Sequence, residues 1–371
     1  MIHNLVLYRK YRPKTFAEIV GQEHVVQTLT NAIGSEKISH AYLFTGPRGT
    51  GKTTMGRLLT KAINCQNRKQ GEFEPCNQCS SCLEITTGNA MDLIEIDAGT
   101  NTGIDDIRNL KEGIGFVPVK SKYKVFIIDE CHQLSASAAN ALLKTLEEPP
   151  SHAIFVLATT EAYKVISTII SRCQRFDFRK LKIDEIVNRL KEILKQEKII
   201  YDQEALNLIA FSANGSIRDA ETLLDQAVSF CGQDKKIEKK EIEELLGLAD
   251  REIIFKFLNF ISQKKTKEGI EFLNEIIFKG MDVQEFIKAI IQYLREILLF
   301  KISNEFQNPL IAGSSEAEKN ELKKLAGSFP EEELKQILEK FTETEQKTKY
   351  ASIPQLPLEL AIIEVTKSLS H

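Results

Sequence analysis

A glycine-rich stretch with the spacing of a phosphate-binding loop lies in the first sixth of the chain. Residues 46–53 read GPRGTGKT, which satisfies the pattern G-x-x-x-x-G-K-[ST]. Its glycines allow backbone N–H groups to turn toward a phosphate at a helix N-terminus, where anions are favoured. Lys52 is expected to reach the β- and γ-phosphate oxygens, and Thr53 to hold Mg²⁺. The predicted nucleotide-binding residues of this loop are Gly46, Pro47, Arg48, Gly49, Thr50, Gly51, Lys52, Thr53 and Thr54.

Two adjacent carboxylates follow an apolar run and would complete this chemistry. Residues 124–130 read KVFIIDE, so Asp129 is predicted to hold Mg²⁺ and Glu130 to polarise the attacking water. An Asp-Glu pair alone is weak evidence, because it often begins a helix. Beside the phosphate loop it indicates a hydrolase rather than a kinase, since nothing in the sequence resembles a dedicated phosphoryl-acceptor site.

Four of the seven cysteines form the pattern C-x10-C-x2-C-x2-C, at Cys65, Cys76, Cys79 and Cys82. Four thiolates can close a tetrahedral structural zinc site, which leaves no open position for catalysis. An iron–sulfur cluster is the alternative, although the Cys-Pro ending of the bacterial cluster motif is missing. The other cysteines are predicted to be small buried residues. His132 follows the two carboxylates and is predicted to be structural rather than a general base.

The elements that must position these residues alternate between strands and helices up to about residue 180. Four short apolar runs are predicted to be buried strands, at Ala41–Phe44, Leu93–Ile96, Val125–Ile128 and Ile154–Leu157. The phosphate loop lies between the first strand and a helix, as its motif requires. This alternation predicts an α/β fold with a parallel sheet.

Length and composition limit the number of domains and the class of protein. The 371 residues suggest two or three domains, and a net charge of −3 argues against a chain coated in basic residues. The predicted domains are an α/β nucleotide-binding domain at 1–180 with a zinc module at about 64–84, a helical lid domain at 181–242 and a helical domain at 243–371. No secretory signal or membrane-length apolar run is recognised, and the cysteines fit a reducing compartment, so a cytoplasmic location is expected.

Further matches lie where an AAA+ ATPase would need them. The end of the fourth strand, Thr159 or Thr160, resembles the polar sensor near the γ-phosphate. Ser171-Arg172-Cys173 resembles the motif of clamp loaders, in which the arginine completes the ATP site of the neighbouring subunit. The segment 215–219, GSIRD, resembles the second sensor, with Arg218 facing the γ-phosphate in cis. The segments 11–16 and 20–22 resemble the adenine side of the family's site and contribute Tyr11, Arg12 and Val20.

The cysteine insert narrows the resemblance to one family. Its position and spacing are similar to the zinc finger of the bacterial DNA polymerase III gamma/tau family. That resemblance implies an AAA+ domain, a lid and an all-α oligomerisation collar, with ATP, Mg²⁺ and Zn²⁺ as cofactors. It implies an ATP hydrolase within a DNA-directed DNA polymerase complex. It also implies a hetero-pentamer with delta- and delta-prime-type subunits and copies of the chain, which opens the sliding clamp and loads it onto primer–template DNA.

One predicted helix is the candidate for DNA contact. Ser135 is expected to cap a helix at Ala136–Glu147, with Ala139, Leu142, Leu143 and Leu146 on one face. Lys144 lies on the opposite face, and the resemblance implies that this helix follows duplex phosphates. Arg108 is a second candidate for contact with a DNA phosphate. The alternative for Lys144 is an ordinary lysine in contact with water on an exposed face. Such contacts would be sensitive to salt and carry no base specificity.

Two other functions remain as alternatives. The first is another AAA+ DNA-remodelling ATPase, of the ring-helicase or branch-migration type. The cysteine insert and Ser171-Arg172-Cys173 disfavour it. The second is a non-hydrolysing structural clamp-loader subunit, which the intact Lys52, Thr53, Asp129 and Glu130 disfavour. The apolar stripe of Phe255, Leu258 and Ile261 is predicted to be internal core rather than an oligomer contact.

Overall fold

The computed structural model describes residues 6–100, 113–232, 236–246, 251–303 and 316–368. The chain divides into two compact units. The first comprises Met1–Glu197 and Ser212–Asp225, and the second comprises Lys198–Phe211 and Gln226–His371. The division into three domains stays a prediction.

Five parallel strands in the described part of the first unit form one sheet, in the order β2-β3-β4-β1-β5. They are β1 Ala41–Thr45, β2 Leu93–Asp97, β3 Lys124–Asp129, β4 Ala153–Thr159 and β5 Gln174–Asp177. The four predicted strands are confirmed, and each is longer than predicted by at least one residue. The fifth was not predicted, because Phe176 is the one apolar residue in its sequence QRFD.

Burial explains which strands the sequence shows clearly. Every residue of β1 and β4 is buried, as expected for central strands of a parallel sheet with both faces covered. The edge strands β2 and β5 are partly exposed and more polar. The parallel register pairs Leu43 with Leu157 and Asp97 with Asp129, so the carboxyl ends of the strands meet at one edge.

The helices of the first unit cover both faces of this sheet. Along β1, Tyr42 and Phe44 join one apolar cluster and Leu43 joins the other, because successive strand residues point to opposite faces. The α-helices are α1 Leu7–Lys10, α2 Glu23–Gly34, α3 Lys52–Ile63, α4 Ser80–Thr87, α5 Ala136–Glu147, α6 Ser167–Ile170 and α7 Ile183–Glu197. Short 3-10 helices span Phe16–Glu18, Cys131–Gln133 and Ala162–Lys164.

Helix α5 has the predicted cap and faces. The Ser135 hydroxyl accepts a hydrogen bond from the backbone N–H of Ala138 at 3.3 Å. Leu142 and Leu146 are buried against the sheet, whereas Lys144 is exposed. The other DNA candidate, Arg108, lies outside the described residues.

Helices make up almost all of the described remainder. They are α8 Gln203–Ser212, α9 Ile217–Cys231, α10 Lys239–Leu245, α11 Arg251–Ser262, α12 Thr266–Phe278, α13 Val283–Ser303, α14 Glu316–Ser328, α15 Glu331–Thr348 and α16 Leu356–Ser368. Their core contains Phe255, Leu258 and Ile261, so the prediction of internal core for this stripe is confirmed. Within the described ranges, no helix combines the length and apolar character that crossing a bilayer requires.

Candidate nucleotide site and cysteine cluster

The phosphate loop connects β1 to α3, and its shape depends on two glycines. Gly46 has φ +140°, and a Cβ atom there would lie 2.2 Å from the carbonyl oxygen of Phe178. Gly49 has φ +73°, and a Cβ atom there would lie 1.9 Å from Oγ of Ser216. Both positions therefore exclude any side chain. The loop backbone can then approach the start of α9, where the Ile217 N–H donates to the Gly49 carbonyl oxygen at 3.1 Å.

Lys52 begins α3 and turns its side chain back under the loop. Its Nζ donates to the carbonyl oxygens of Gly46 at 2.7 Å and Pro47 at 2.8 Å, and the residue is only 6% exposed. Burial lowers the pKa of Lys52, against the opposing attraction of Glu130 and Asp129. The ammonium group is thus satisfied by the loop itself, and a bound phosphate would have to replace these carbonyl contacts.

Thr53 and Asp129 bring two oxygen groups together at the carboxyl end of β3. The Thr53 hydroxyl donates to Oδ2 of Asp129 at 2.7 Å. The strand register places Asp97 beside Asp129 on the neighbouring strand. Hydroxyl and carboxylate oxygens are ligands that Mg²⁺ accepts in phosphate sites, so the arrangement fits the predicted metal.

Glu130 follows Asp129 in an unusual backbone conformation. Its φ is +48° and its ψ is 43°, the left-handed region that a glutamate rarely adopts. One carboxylate oxygen, Oε2, accepts hydrogen bonds from the Thr160 N–H at 3.2 Å and from the Thr160 hydroxyl at 2.9 Å. Thr159, the other sensor candidate, instead lies 2.9 Å from Nδ1 of His132.

A cavity of about 430 Å³ lies above the loop within the first unit. Many of the predicted residues line it: Arg12, Val20, Arg48, Gly49, Thr50, Gly51, Lys52, Thr53, Thr54, Asp129, Glu130 and Arg218. Its wall also includes residues that the sequence did not single out, among them Tyr8, Asp97, Gln133, Arg189 and Glu221. The volume and the mixture of loop backbone, cations and carboxylates suit a nucleotide.

Some predicted residues are placed elsewhere. Tyr11 donates its phenol proton to Oε1 of Glu197 at 2.5 Å, and burial together with this carboxylate raises the pKa of Tyr11 to about 12. Arg172 lies on the surface, with its guanidinium paired to Glu147. Gly46 and Pro47 contribute carbonyl oxygens to Lys52 rather than surface to the cavity.

Arg189 and Glu221 form a buried pair in the cavity wall. Arg189 is 7% exposed and Glu221 is 5% exposed, and 3.6 Å separates Nε of Arg189 from Oε1 of Glu221. Burial raises the pKa of Glu221 to about 7, although Arg189 favours the ionised form. The helical spacing of the sequence could have shown that Glu221 is buried, because Glu221 shares the apolar face of α9 with Ile217 and Leu224.

Arg218, the predicted second sensor, lies in the first turn of α9, beside Tyr8. Its guanidinium carbon lies 4.9 Å from the centre of the Tyr8 ring, within the range of a cation–π contact. The residue is exposed at the cavity mouth. The sequence did not predict this contact between Arg218 and Tyr8.

The four clustered cysteines converge where the segment between α3 and α4 meets the first turn of α4, which contains Cys82. Their Sγ atoms all lie within 4.8 Å of one another, close to the ~3.8 Å edge of a tetrahedral zinc–thiolate site. Burial opposes ionisation of Cys76, but the backbone N–H groups of Gln78 and Cys79, together with hydrogen bonds from the thiols of Cys65 and Cys79, lower the pKa of Cys76 to about 6. The Cys76 N–H also donates to Sγ of Cys65 at 3.3 Å. The donor set and its backbone hydrogen bonds fit a structural metal ion.

Family models match three consecutive parts of the chain. Residues 21–182 match the model described as DNA polymerase III, delta subunit. Residues 185–233 match the DNA polymerase III clamp loader subunit, ATPase lid domain. Residues 237–371 match DNA polymerase III subunits gamma and tau domain III.

Curated relatives match most of the chain. It is 41% identical over 367 residues to DNA polymerase III subunit tau of Bacillus subtilis, covering 98% of this chain and 63% of that protein. It is 39% identical over 298 residues to the tau subunit of Escherichia coli, covering 80% of this chain and 46% of that protein. It is 36% identical over 366 residues to DNA polymerase III subunit gamma of Buchnera aphidicola from Acyrthosiphon pisum, covering 98% of this chain and 99% of that protein. The chain therefore belongs to the gamma/tau family of DNA polymerase III subunits.

Proposed function

We propose that this chain is an ATPase subunit of the bacterial clamp loader. ATP binding and hydrolysis would open the sliding clamp and load it onto primer–template DNA. The observation that carries the proposal is the hydrogen bond from Thr53 to Asp129, 2.7 Å long, at the mouth of a loop that already encloses Lys52. These are the parts that a P-loop ATPase brings together around a metal-bound triphosphate.

The phosphate loop would hold the triphosphate through its backbone N–H groups. Lys52 would exchange its two carbonyl partners for β- and γ-phosphate oxygens, which is favourable because its ammonium is largely shielded from water. Thr53 and Asp129 would hold Mg²⁺. When bound, the metal ion supplies charge neutralisation for the phosphate oxygens.

Glu130 is the candidate base for the attacking water. In the present arrangement its Oε2 is engaged by Thr160, so it must turn or share that oxygen to reach a water at the γ-phosphate. Arg218 would contact the γ-phosphate in cis, and Thr159 would act as the polar sensor at the end of β4. Arg172 would reach the site of a neighbouring protomer, which agrees with its position on the surface.

The cysteine cluster would bind one structural zinc ion. Four thiolates leave no open coordination position, and the N–H donors around Cys76 favour the deprotonated ligand that zinc needs. The ion would fix the segment between α3 and α4 as a rigid module. This role is structural, because none of the four cysteines lines the nucleotide cavity.

The proposed partners follow from the family. They are delta- and delta-prime-type subunits, further copies of this chain, the sliding clamp and primer–template DNA. Lys144, exposed on α5, would contact a DNA phosphate. The helical second unit, with its own large core, would provide the collar. Because the chain spans 63% of the Bacillus relative and 46% of the Escherichia coli relative, these partners remain proposals.

The deciding experiment measures ATP turnover by the full chain, alone and with partner subunits, clamp and primed DNA. Weak turnover alone and strong stimulation by the complete set are expected. Lys52→Ala should abolish ATP binding, whereas Lys37→Ala, at an exposed position outside the cavity, should behave like the wild type. A non-hydrolysing structural subunit would instead leave the turnover of the assembled complex unchanged by Lys52→Ala.

A further inference from the structure

His132 lies in the short helix after Glu130, and its ring is enclosed between two carboxylates. Its side chain is 6% exposed. Nε2 lies 3.1 Å from Oε2 of Glu161, and Nδ1 lies 3.3 Å from Oε2 of Glu130. Nδ1 also lies 2.9 Å from Oγ1 of Thr159. Both ring nitrogens are therefore engaged, by groups from the ends of two neighbouring strands.

The contact with Glu161 decides which ring nitrogen of His132 carries hydrogen. A carboxylate can only accept a hydrogen bond, so the nitrogen that faces Glu161 must carry hydrogen. Glu161 is itself held in place, by the Tyr163 hydroxyl at 2.5 Å and by Nζ of Lys164 at 2.9 Å. The ring is thus anchored at Nε2, and its orientation is set by the segment after β4.

The other side of the ring has two partners for one nitrogen. The Thr159 hydroxyl oxygen already accepts from the Glu161 N–H at 3.0 Å, so its own proton is available to Nδ1. Nδ1 then accepts that proton and carries none of its own, so it cannot donate to the Glu130 carboxylate, which lies 3.3 Å away and can itself only accept. The position of the ring, which Thr159 and Glu161 hold, therefore limits where the Glu130 carboxylate can lie.

Glu130 is well placed to respond. Contacts from Thr160 and His132 converge on its Oε2 atom, and its backbone is in the left-handed region. Strained backbone at such a position persists only where surrounding contacts hold it. The direction of the carboxylate is consequently decided by the end of β4.

We propose that His132 is a positioning residue that links the Thr159 hydroxyl at the end of β4 to the orientation of the Glu130 carboxylate. This inference rests on the proposed function, in which Glu130 acts on the attacking water. A nucleotide that draws the Thr159 hydroxyl away from Nδ1 would free the ring to move, and the Glu130 carboxylate beside it would reorient. A histidine buried only for packing would affect stability and nothing else.

Three substitutions separate these possibilities, measured in the full chain with partner subunits, clamp and primed DNA. His132→Phe keeps the ring volume and removes both nitrogens. His132→Asn keeps a polar group near the position of Nδ1, and Glu161→Gln removes the anchoring carboxylate. We expect His132→Phe to lower kcat on the order of 10- to 100-fold with KM for ATP unchanged, as for a misplaced catalytic group. His132→Asn should recover part of the loss, and Glu161→Gln combined with His132→Phe should add little to it.

Asn64 supplies the structural control. It is 5% exposed and its side chain bonds both the N–H and the carbonyl of Tyr123, so Asn64→Ala should lower the melting temperature and leave kcat unchanged. Wild-type kcat in both His132→Phe and Glu161→Gln would overturn the inference while leaving the proposed function intact. If His132→Phe does not fold, His132→Asn and Glu161→Gln carry the test. Absence of turnover in the wild-type complex would refute the proposed function and the inference with it.

Discussion

Arg172 and Glu147 form an ion pair within one chain, with 2.6 Å between Nη2 of the arginine and Oε1 of the glutamate. The arginine also donates from Nη1 to the carbonyl oxygen of Thr168 at 2.8 Å. Glu147 ends α5, the helix that carries Lys144 one turn earlier. The proposed arginine finger is therefore held by the helix proposed to contact DNA.

Glu147→Gln should release Arg172 from this competing carboxylate. We expect ATP turnover of the assembled complex to rise by no more than about fivefold, because a partly exposed ion pair contributes about 0–1 kcal/mol. ATP affinity of the isolated chain should not change. Glu148→Gln, at the next and equally exposed position, is the control. Lower turnover in Glu147→Gln would mean that Glu147 presents the arginine rather than competing for it.

Arg172→Ala should leave nucleotide binding by the isolated chain nearly intact. Turnover in the assembled complex should fall on the order of 10³-fold, because a guanidinium supplied in trans stabilises the charge of the transition state. Binding by titration and steady-state ATPase rates test the two parts separately. Arg175→Ala, an exposed arginine paired with Asp177, should have no such effect. Full activity of Arg172→Ala would show that the finger is wrongly assigned.

Metal analysis of the purified chain should give one zinc ion per chain. Cys76→Ser should lose the metal and destabilise the first unit, because the sulfur atoms would no longer be bridged. Cys231→Ser is the control, since that thiol lies outside the cluster and contacts Glu241. Iron with a visible absorption band would instead support a cluster, and a metal-free chain would contradict both.

The pH dependence of stability should carry the signature of Glu221. Its pKa in the folded chain is raised from 4.5 to about 7, mainly by burial. Its stabilising contribution is therefore complete below about pH 4.5 and is lost as pH rises through about 7. Relative to Glu221→Gln, the wild-type free energy of unfolding should fall between pH 5 and pH 8, by about 3 kcal/mol at most.

Urea unfolding of both proteins at the two pH values measures this difference. Glu192→Gln is the matched control, because Glu192 pairs with the same Arg189 but has a side chain 63% exposed. Its difference from the wild type should be small, because an exposed ion pair contributes about 0–1 kcal/mol. A difference between wild type and Glu221→Gln that stays constant would contradict the raised pKa.

The sequence by itself determined the features that depend on consecutive residues. The phosphate loop, the carboxylates at the end of β3, the four clustered cysteines and the faces of α5 follow from short patterns. The same holds for four of the five strands, which are apolar runs, three of them central in the sheet. The family resemblance rested on the same short motifs. Local backbone preference and side-chain periodicity suffice for such features.

Only the tertiary structure decided the contacts between distant segments. Edge strand β5 is partly exposed to water and has a polar sequence, so it lacks the apolar run by which a strand is predicted. Arg189 and Glu221 meet across 32 positions of sequence, Arg172 and Glu147 across 25, and His132 and Thr159 across 27. The sequence singled out Arg172 and Thr159, but nothing in the segment of either residue predicted its partner. Each pair forms because folding brings two distant residues within hydrogen-bond or ion-pair distance. The local sequence pattern of one residue therefore cannot predict the other.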